Sequence, residues 1–144
     1  MLKIFLSGGM SGLSKEQMTG WRNEFRNAMS THDGVKIISP PDLFAVGGGC
    51  YEKEAFDYDL YWVRNCDVLV VNLNKLDSIG TAQEIMLAHT LNKPIIMICE
   101  RGVYDDVHPW YKEEATRFFL YQSQIDLPKL LEDISNYIMA NFSV

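Results

Sequence analysis

The chain has 144 residues, about the size of one domain with one core, and its 47% hydrophobic and 22% charged residues are ordinary globular usage. A formal net charge of −6 argues against a nucleic-acid polymer as partner, yet leaves room for a single nucleotide held by local amides. Three cysteines without paired spacing (Cys50, Cys66, Cys99) suggest reduced thiols in a cytoplasmic protein; with no C-x-x-C pair, no H-E-x-x-H helix and scattered histidines, neither a metal nor a cofactor is expected.

The apolar run at the N-terminus is too short for a signal peptide, and no segment approaches a membrane span, so no membrane partner is expected. Ile4 to Leu6 reads as a short strand, ended by Ser7-Gly8-Gly9-Met10-Ser11-Gly12. A helix follows from about Lys15 to Met29, because Trp21, Phe25 and Met29 form one apolar stripe. Asp33-Gly34 turns the chain into a second strand, Val35 to Ile38, stopped by Ser39-Pro40-Pro41-Asp42. Residues 43–51 contain Gly47-Gly48-Gly49 and read as a surface loop suited to act as a lid. The next helix, 52–64, places Phe56, Leu60 and Val63 on one face; its Asp57 and Asp59 read by themselves as a solvated acidic face, and Asp67 as a turn residue.

Val68 to Val71 is an apolar, mostly β-branched run suited to a buried strand. Asp77, Ser78 and Gly80 form a loop, after which Ala82, Ile85, Met86 and Ala88 mark a helix face. Glu84, one turn into that helix, has two readings. Thr81-x-x-Glu84 fits a capping box, with Glu84 folded back on the helix start. Alternatively its carboxylate points into the crevice beyond the strand ends. Asn92-Lys93-Pro94 turns into a strand at Ile95 to Cys99; residues 100–112 read as loop, 113–117 as a helical turn, Phe118 to Tyr121 as a last strand, and 127–141 as a helix with Leu130, Ile134, Tyr137 and Ile138 inward.

The alternation implies an α/β fold, a flavodoxin-like or Rossmann-like three-layer sandwich with a five-stranded parallel sheet in the order 2-1-3-4-5, formed by one domain over 1–144. The switch point then lies between strands 1 and 3, which makes the glycine loop at 7–12 a neighbour of the loop at 74–81. The glycine loop is neither a full G-x-G-x-x-G nor a P-loop, and strand 2 ends in Ser39-Pro40-Pro41 rather than an acidic residue, which argues against a dinucleotide oxidoreductase.

Three stretches together resemble the nucleoside 2-deoxyribosyltransferase superfamily, which includes 2′-deoxynucleoside 5′-phosphate N-hydrolases and phage-type relatives. They are Ile4-Phe5-Leu6-Ser7-Gly8-Gly9-Met10-Ser11-Gly12, the segment from Asp59 to Val70, and Ser78-Ile79-Gly80-Thr81-Ala82-Gln83-Glu84. The resemblance implies Glu84 as the nucleophile and Asp59 as the carboxylate that orients the sugar and assists the leaving base. Phe5, Ser7, Gly8, Gly9, Met10 and Ser11 would wrap the substrate, with Asp77, Ser78 and Gly80 at its 5′ end. Phe5 stands where the family often has tyrosine. The implied reaction cleaves an N-glycosidic bond of a nucleoside or nucleotide, with transfer of deoxyribose to an acceptor base or hydrolysis of a 5′-monophosphate; a non-catalytic nucleotide-binding module is the reading of another class. Glu84 must be ionised to attack, which a place near a helix N-terminus favours. The family also implies a homodimer or larger homo-oligomer, in which His108 would reach a neighbouring pocket.

Overall fold

The computed structural model describes residues 1–10, 12–41 and 52–143. Ser11, Cys50 and the Gly47-Gly48-Gly49 segment read above as a lid lie outside the described residues. Strands β1 (Leu2–Gly8), β2 (Val35–Ile38), β3 (Val68–Asn72), β4 (Ile95–Glu100) and β5 (Arg117–Tyr121) form one parallel sheet in the order 2-1-3-4-5, as expected. The helices are α1 (Lys15–Met29), α2 (Glu52–Asn65), α3 (Ile79–Thr90), α4 (Arg101–Tyr104), α5 (Pro109–Glu114) and α6 (Leu127–Phe142). No helix among the described residues is long and apolar enough to cross a membrane.

The strands are apolar almost throughout because both sheet faces are covered. Side chains alternate between the faces. Ile4, Leu6, Val68, Val70, Ile96 and Ile98 pack with Trp21, Phe25 and Met29 of α1 and with Leu131, Ile134 and Ile138 of α6. Phe5, Leu69, Val71, Ile95, Met97 and Cys99 pack on the other side with Val63 of α2 and with Ile85 and Ala88 of α3. The pleat that sends Phe5 toward α2 and α3 therefore sends Ser7 the same way.

Local chemistry sets the boundaries. Ser14 and Gln17 form a reciprocal capping box at the start of α1, with bonds of 2.9 and 3.1 Å. Gly34 supplies the left-handed backbone (φ 72°) of the turn into β2. Asp67 closes the step from α2 to β3: its carboxylate accepts the Lys3 amide at 2.8 Å and its own amide donates to the Lys3 carbonyl at 2.7 Å.

Four sequence expectations change. Residues 100–112 are not a continuous loop but hold α4 and most of α5, whose first turn tolerates Pro109 because the missing amide hydrogen would have no helical partner there. The helical turn expected at 113–117 is the end of α5, after which Arg117 already begins β5. Phe56 is half-exposed rather than inward. On α3 the inward residues are Thr81, Glu84, Ile85 and Ala88, while Met86 faces outward.

Candidate active site

The start of α3 decides between the two readings of Glu84. Ser78, in extended conformation, is the N-cap; its Oγ accepts the Thr81 amide at 3.3 Å and lies 2.8 Å from the Thr81 hydroxyl. The helix starts at Ile79, so Glu84 falls at its sixth position, beyond reach of the free amides of the first turn. The capping-box reading is therefore corrected: Ser78 caps, and Glu84 faces inward at 7% exposure.

Glu84 meets β1 there. Ser7, level with Val71 in the sheet register, is fully buried, and its hydroxyl donates to Glu84 Oε1 at 2.8 Å. Glu84 Oε2 is buried without a hydrogen-bond partner among the described residues. The carboxyl forms one wall of a cleft of about 410 Å³ at the carboxyl ends of β1 and β3. Asp59 of α2 lines the same cleft, as do Gly8, Met10, Asp77, Ser78 and Gly80. Phe56, Leu60 and Ile79 add an apolar rim suited to the face of a planar ring.

The structure thus brings together eight of the residues singled out by sequence, counting Ser7 through its bond to Glu84. Three others lie elsewhere. Phe5 is wholly buried in the core, because the strand pleat turns it beneath the cleft floor. Gly9 borders a second hollow of about 640 Å³ on the α1 and α6 side, shared with Asn72, Asn74, Glu100 and Gln124. His108 caps α5, its Nδ1 accepting the Trp110 amide at 3.1 Å, and it does not line the cleft of its own chain. Asp57, the companion of Asp59 in sequence, pairs on the surface with Lys53 at 2.7 Å.

Two functional candidates were not singled out from the sequence. Lys75 lines both hollows, with Nζ 2.7 Å from Asp77 Oδ1. Its stem lies across Gly9 so closely that a Cβ there would come within 2.5 Å of Lys75 Cδ. Arg22 of α1 is 1% exposed. Its guanidinium donates to the carbonyls of Met18 and of Gly8, the latter at 3.3 Å, and lies 4.9 Å from the Trp21 ring centroid. A signal for Arg22 did exist: Met18, Arg22, Phe25 and Met29 follow core spacing, so a charged residue occupies a core position.

Burial raises the Glu84 carboxyl from its ordinary 4.5 to about 8; the charge of Asp59 adds to the rise, while the Ser7 hydroxyl and Arg22 oppose it. Burial likewise raises Asp59 to about 6, against the pull of Arg22. Burial thus favours the protonated form of both carboxyls, and of Glu84 more strongly than of Asp59. Desolvation outweighs the help expected from the helix N-terminus, which lies too far from Glu84 to offset it.

A family model described as "Domain of unknown function (DUF4406)" matches residues 2–97. A protein of Syntrophotalea carbinolica, provisionally named 2′-deoxynucleoside 5′-phosphate N-hydrolase 1, is 29% identical over 106 residues, covering 70% of each chain. Among solved structures, the 2-deoxyribosyltransferase of Bacillus psychrosaccharolyticus superposes with a TM-score of 0.71 at 19% identity, over 99% of this chain and 96% of its own. The CMP N-glycosidase BcmB of Clostridium botulinum superposes with a TM-score of 0.67 at 15% identity, over 94% and 98%. These two likenesses speak for the fold. Taken with the family match and the curated relative, they agree with the superfamily resemblance read from the sequence.

Proposed function

The chain belongs to the DUF4406 family, and on that premise we propose that it cleaves the N-glycosidic bond of 2′-deoxynucleosides, passing the deoxyribosyl group through Glu84 to an acceptor base. One observation carries most of the support: Glu84 Oε2 is buried, with no hydrogen-bond partner among the described residues, in a cleft that a second carboxyl, Asp59, also lines. An orphaned buried oxygen is costly, and a ligand entering the cleft would complete it.

The chemistry follows from the pair. On substrate entry the proton held by Glu84 passes to Asp59. The Glu84 carboxylate attacks C1′; the C1′–O bond forms as the C1′–N bond breaks, and the electron pair leaves with the base. Asp59 gives its proton to a ring nitrogen of that base. An acceptor base then attacks C1′ of the glycosyl-enzyme, returns its N–H proton to Asp59 and frees the Glu84 carboxylate. Water in place of the acceptor makes the enzyme a hydrolase. The apolar rim of Phe56, Leu60 and Ile79 is the surface on which the base would lie.

A second reading, hydrolysis of 5′-monophosphates, is favoured by Lys75. Its ammonium lines the cleft beside Asp77, and exchanging that carboxylate for a phosphate offsets the repulsion Asp77 would otherwise exert. The proposal extends to a single domain acting as a homodimer or larger assembly, which light scattering checks. The deciding experiment incubates the protein with deoxynucleosides and their 5′-monophosphates, with and without an acceptor base, and separates products by chromatography. New nucleoside marks a transferase and free base with water alone a hydrolase. A ligand-induced melting shift without product would replace both readings with a binding module.

A further inference from the structure

The second hollow, of about 640 Å³, opens at the carboxyl ends of the strands on the α1 and α6 face of the sheet, while the two acids lie on the other face. Its size is that of a small-molecule site. Its floor is held by hydrogen bonds. Asn74 joins the ends of three strands: it follows β3, its Oδ1 accepts the amide of Glu100 on β4 at 2.9 Å, and its Nδ2 donates to the hydroxyl of Tyr121 on β5. Gln124 Nε2 donates to Glu100 Oε1 at 2.8 Å and fixes that carboxylate at the edge of the hollow.

Two features of this hollow serve no contact inside the fold. Asn72 is 8% exposed, and the strand pleat that sends Val71 toward α3 sends Asn72 into the hollow. The Asn74 amide needs an acceptor, so Asn72 Oδ1 faces it at 2.9 Å. That leaves Asn72 Nδ2 on the side of the hollow, where it has no hydrogen-bond partner among the described residues. Gly20 is the second feature. It sits inside α1, where glycine is the poorest helix former apart from proline, yet a Cβ there would meet nothing within 4 Å. Packing does not require this glycine; its effect is to keep one wall of the hollow bare.

The lining selects a ligand. Glu16, Glu24 and Glu100 present three carboxylates, while Lys75, the one cation among the described residues of the lining, pairs with Asp77 at 2.7 Å. Such a wall repels phosphates and other anions. Asn72 Nδ2 calls for an acceptor. Glu100 calls for a donor, and it lies on the same face, two residues beyond Ile98, the register partner of Asn72. Trp21 and Leu127 add apolar surface. We propose that this hollow is a second ligand site, for an amino-bearing nucleobase such as cytosine or adenine. These bases carry a ring acceptor beside an exocyclic amine on one edge, and flat apolar faces. The ring acceptor takes the Asn72 amide and the amine bonds Glu100. The site lies across the sheet from Glu84 and does not rest on the reaction proposed above.

The test follows the Asn72 side-chain amide by nitrogen–proton NMR while the whole chain is titrated with cytosine, adenine, uracil or putrescine, none of which has a glycosidic bond to cleave. Wild type, Gly20→Ala and Gly20→Phe are compared. Cytosine and adenine should move the Asn72 signals saturably, and uracil, which lacks the amine, should bind about tenfold or more weakly. Gly20→Ala adds a methyl to open space and should bind as the wild type does, whereas Gly20→Phe fills the hollow and should abolish the shift. The contrast between cytosine and uracil in the wild type remains a test even where Gly20→Phe does not fold. Asn72 signals that stay fixed up to millimolar base, uracil bound as tightly as cytosine, undiminished binding by Gly20→Phe, or a putrescine response stronger than that of either amino-bearing base would overturn the proposal. A protein that binds cytosine here yet cleaves no nucleoside keeps this site and loses the proposed reaction; one that cleaves while Asn72 stays silent does the reverse.

Discussion

Replacing Glu84 by glutamine separates stability from turnover. The amide keeps the volume, and its oxygen still accepts the Ser7 hydroxyl bond of 2.8 Å, so the fold loses little. The removed group is an acid whose carboxyl rises from its ordinary 4.5 to about 8 on folding. The folded chain then binds more protons than the unfolded chain between those values, so stability falls as pH rises through that window. Below pH 4.5 both states are protonated and no difference remains; each unit above it costs about 1.4 kcal/mol, which accumulates to roughly 3 kcal/mol at pH 7. Urea unfolding of Glu84→Gln should therefore match the wild type near pH 4 and exceed it by roughly 3 kcal/mol at pH 7, with an unchanged urea slope. The same protein should release no base from any deoxynucleoside, the expected trade where a site is built at the expense of stability. Parallel stability curves from pH 4 to 8 would refute the buried-acid argument, and retained turnover would refute the nucleophile.

Four further outcomes are expected. Base release should follow a bell in pH, rising near 6 as one carboxyl of the pair ionises and falling near 8 as the second proton is lost; a flat profile across that range would count against the pair. Asp59→Asn should lower kcat by about 10²- to 10⁴-fold with a smaller change in KM, read from steady-state kinetics. Ser7→Ala removes the hydroxyl that donates to Glu84 Oε1, should cost about 1 to 3 kcal/mol in thermal or urea melts, and should move the alkaline limb upward, since that bond holds the Glu84 carboxyl down. Gly9→Ala pushes a methyl into the Lys75 stem, and competition assays should show weaker binding of 5′-monophosphates with nucleosides nearly unaffected.

Strand order and sheet direction were legible because buried strands and amphipathic helices alternate without ambiguity, and each apolar run has the period of its element. The carboxyl pair was suggested only by the family resemblance that three motifs carry, since Asp59 by itself reads as part of a solvated face. What the sequence withheld depends on contacts remote along the chain. Ser78 rather than Thr81 caps α3 because the helix begins earlier than its apolar periodicity, and that shift of three residues turns Glu84 from a cap into a cleft residue. Residues 100–112 lack an apolar stripe, so the four-residue α4 and the short α5, built on Pro109 and a histidine cap, left no periodic trace. Helix proximity is visible in sequence while burial is not, so the upward shift of the Glu84 carboxyl had no signal there. Lys75 acquires its place only from the close approach of Gly9.

That approach also shapes what the cleft can become. The hollows of about 410 and 640 Å³ are both lined by Lys75, whose stem rests on a residue with no side chain. Shortening residue 75 would pare back the side chain that both hollows share, widening the cleft on the side of Gly9 with both acids left in place.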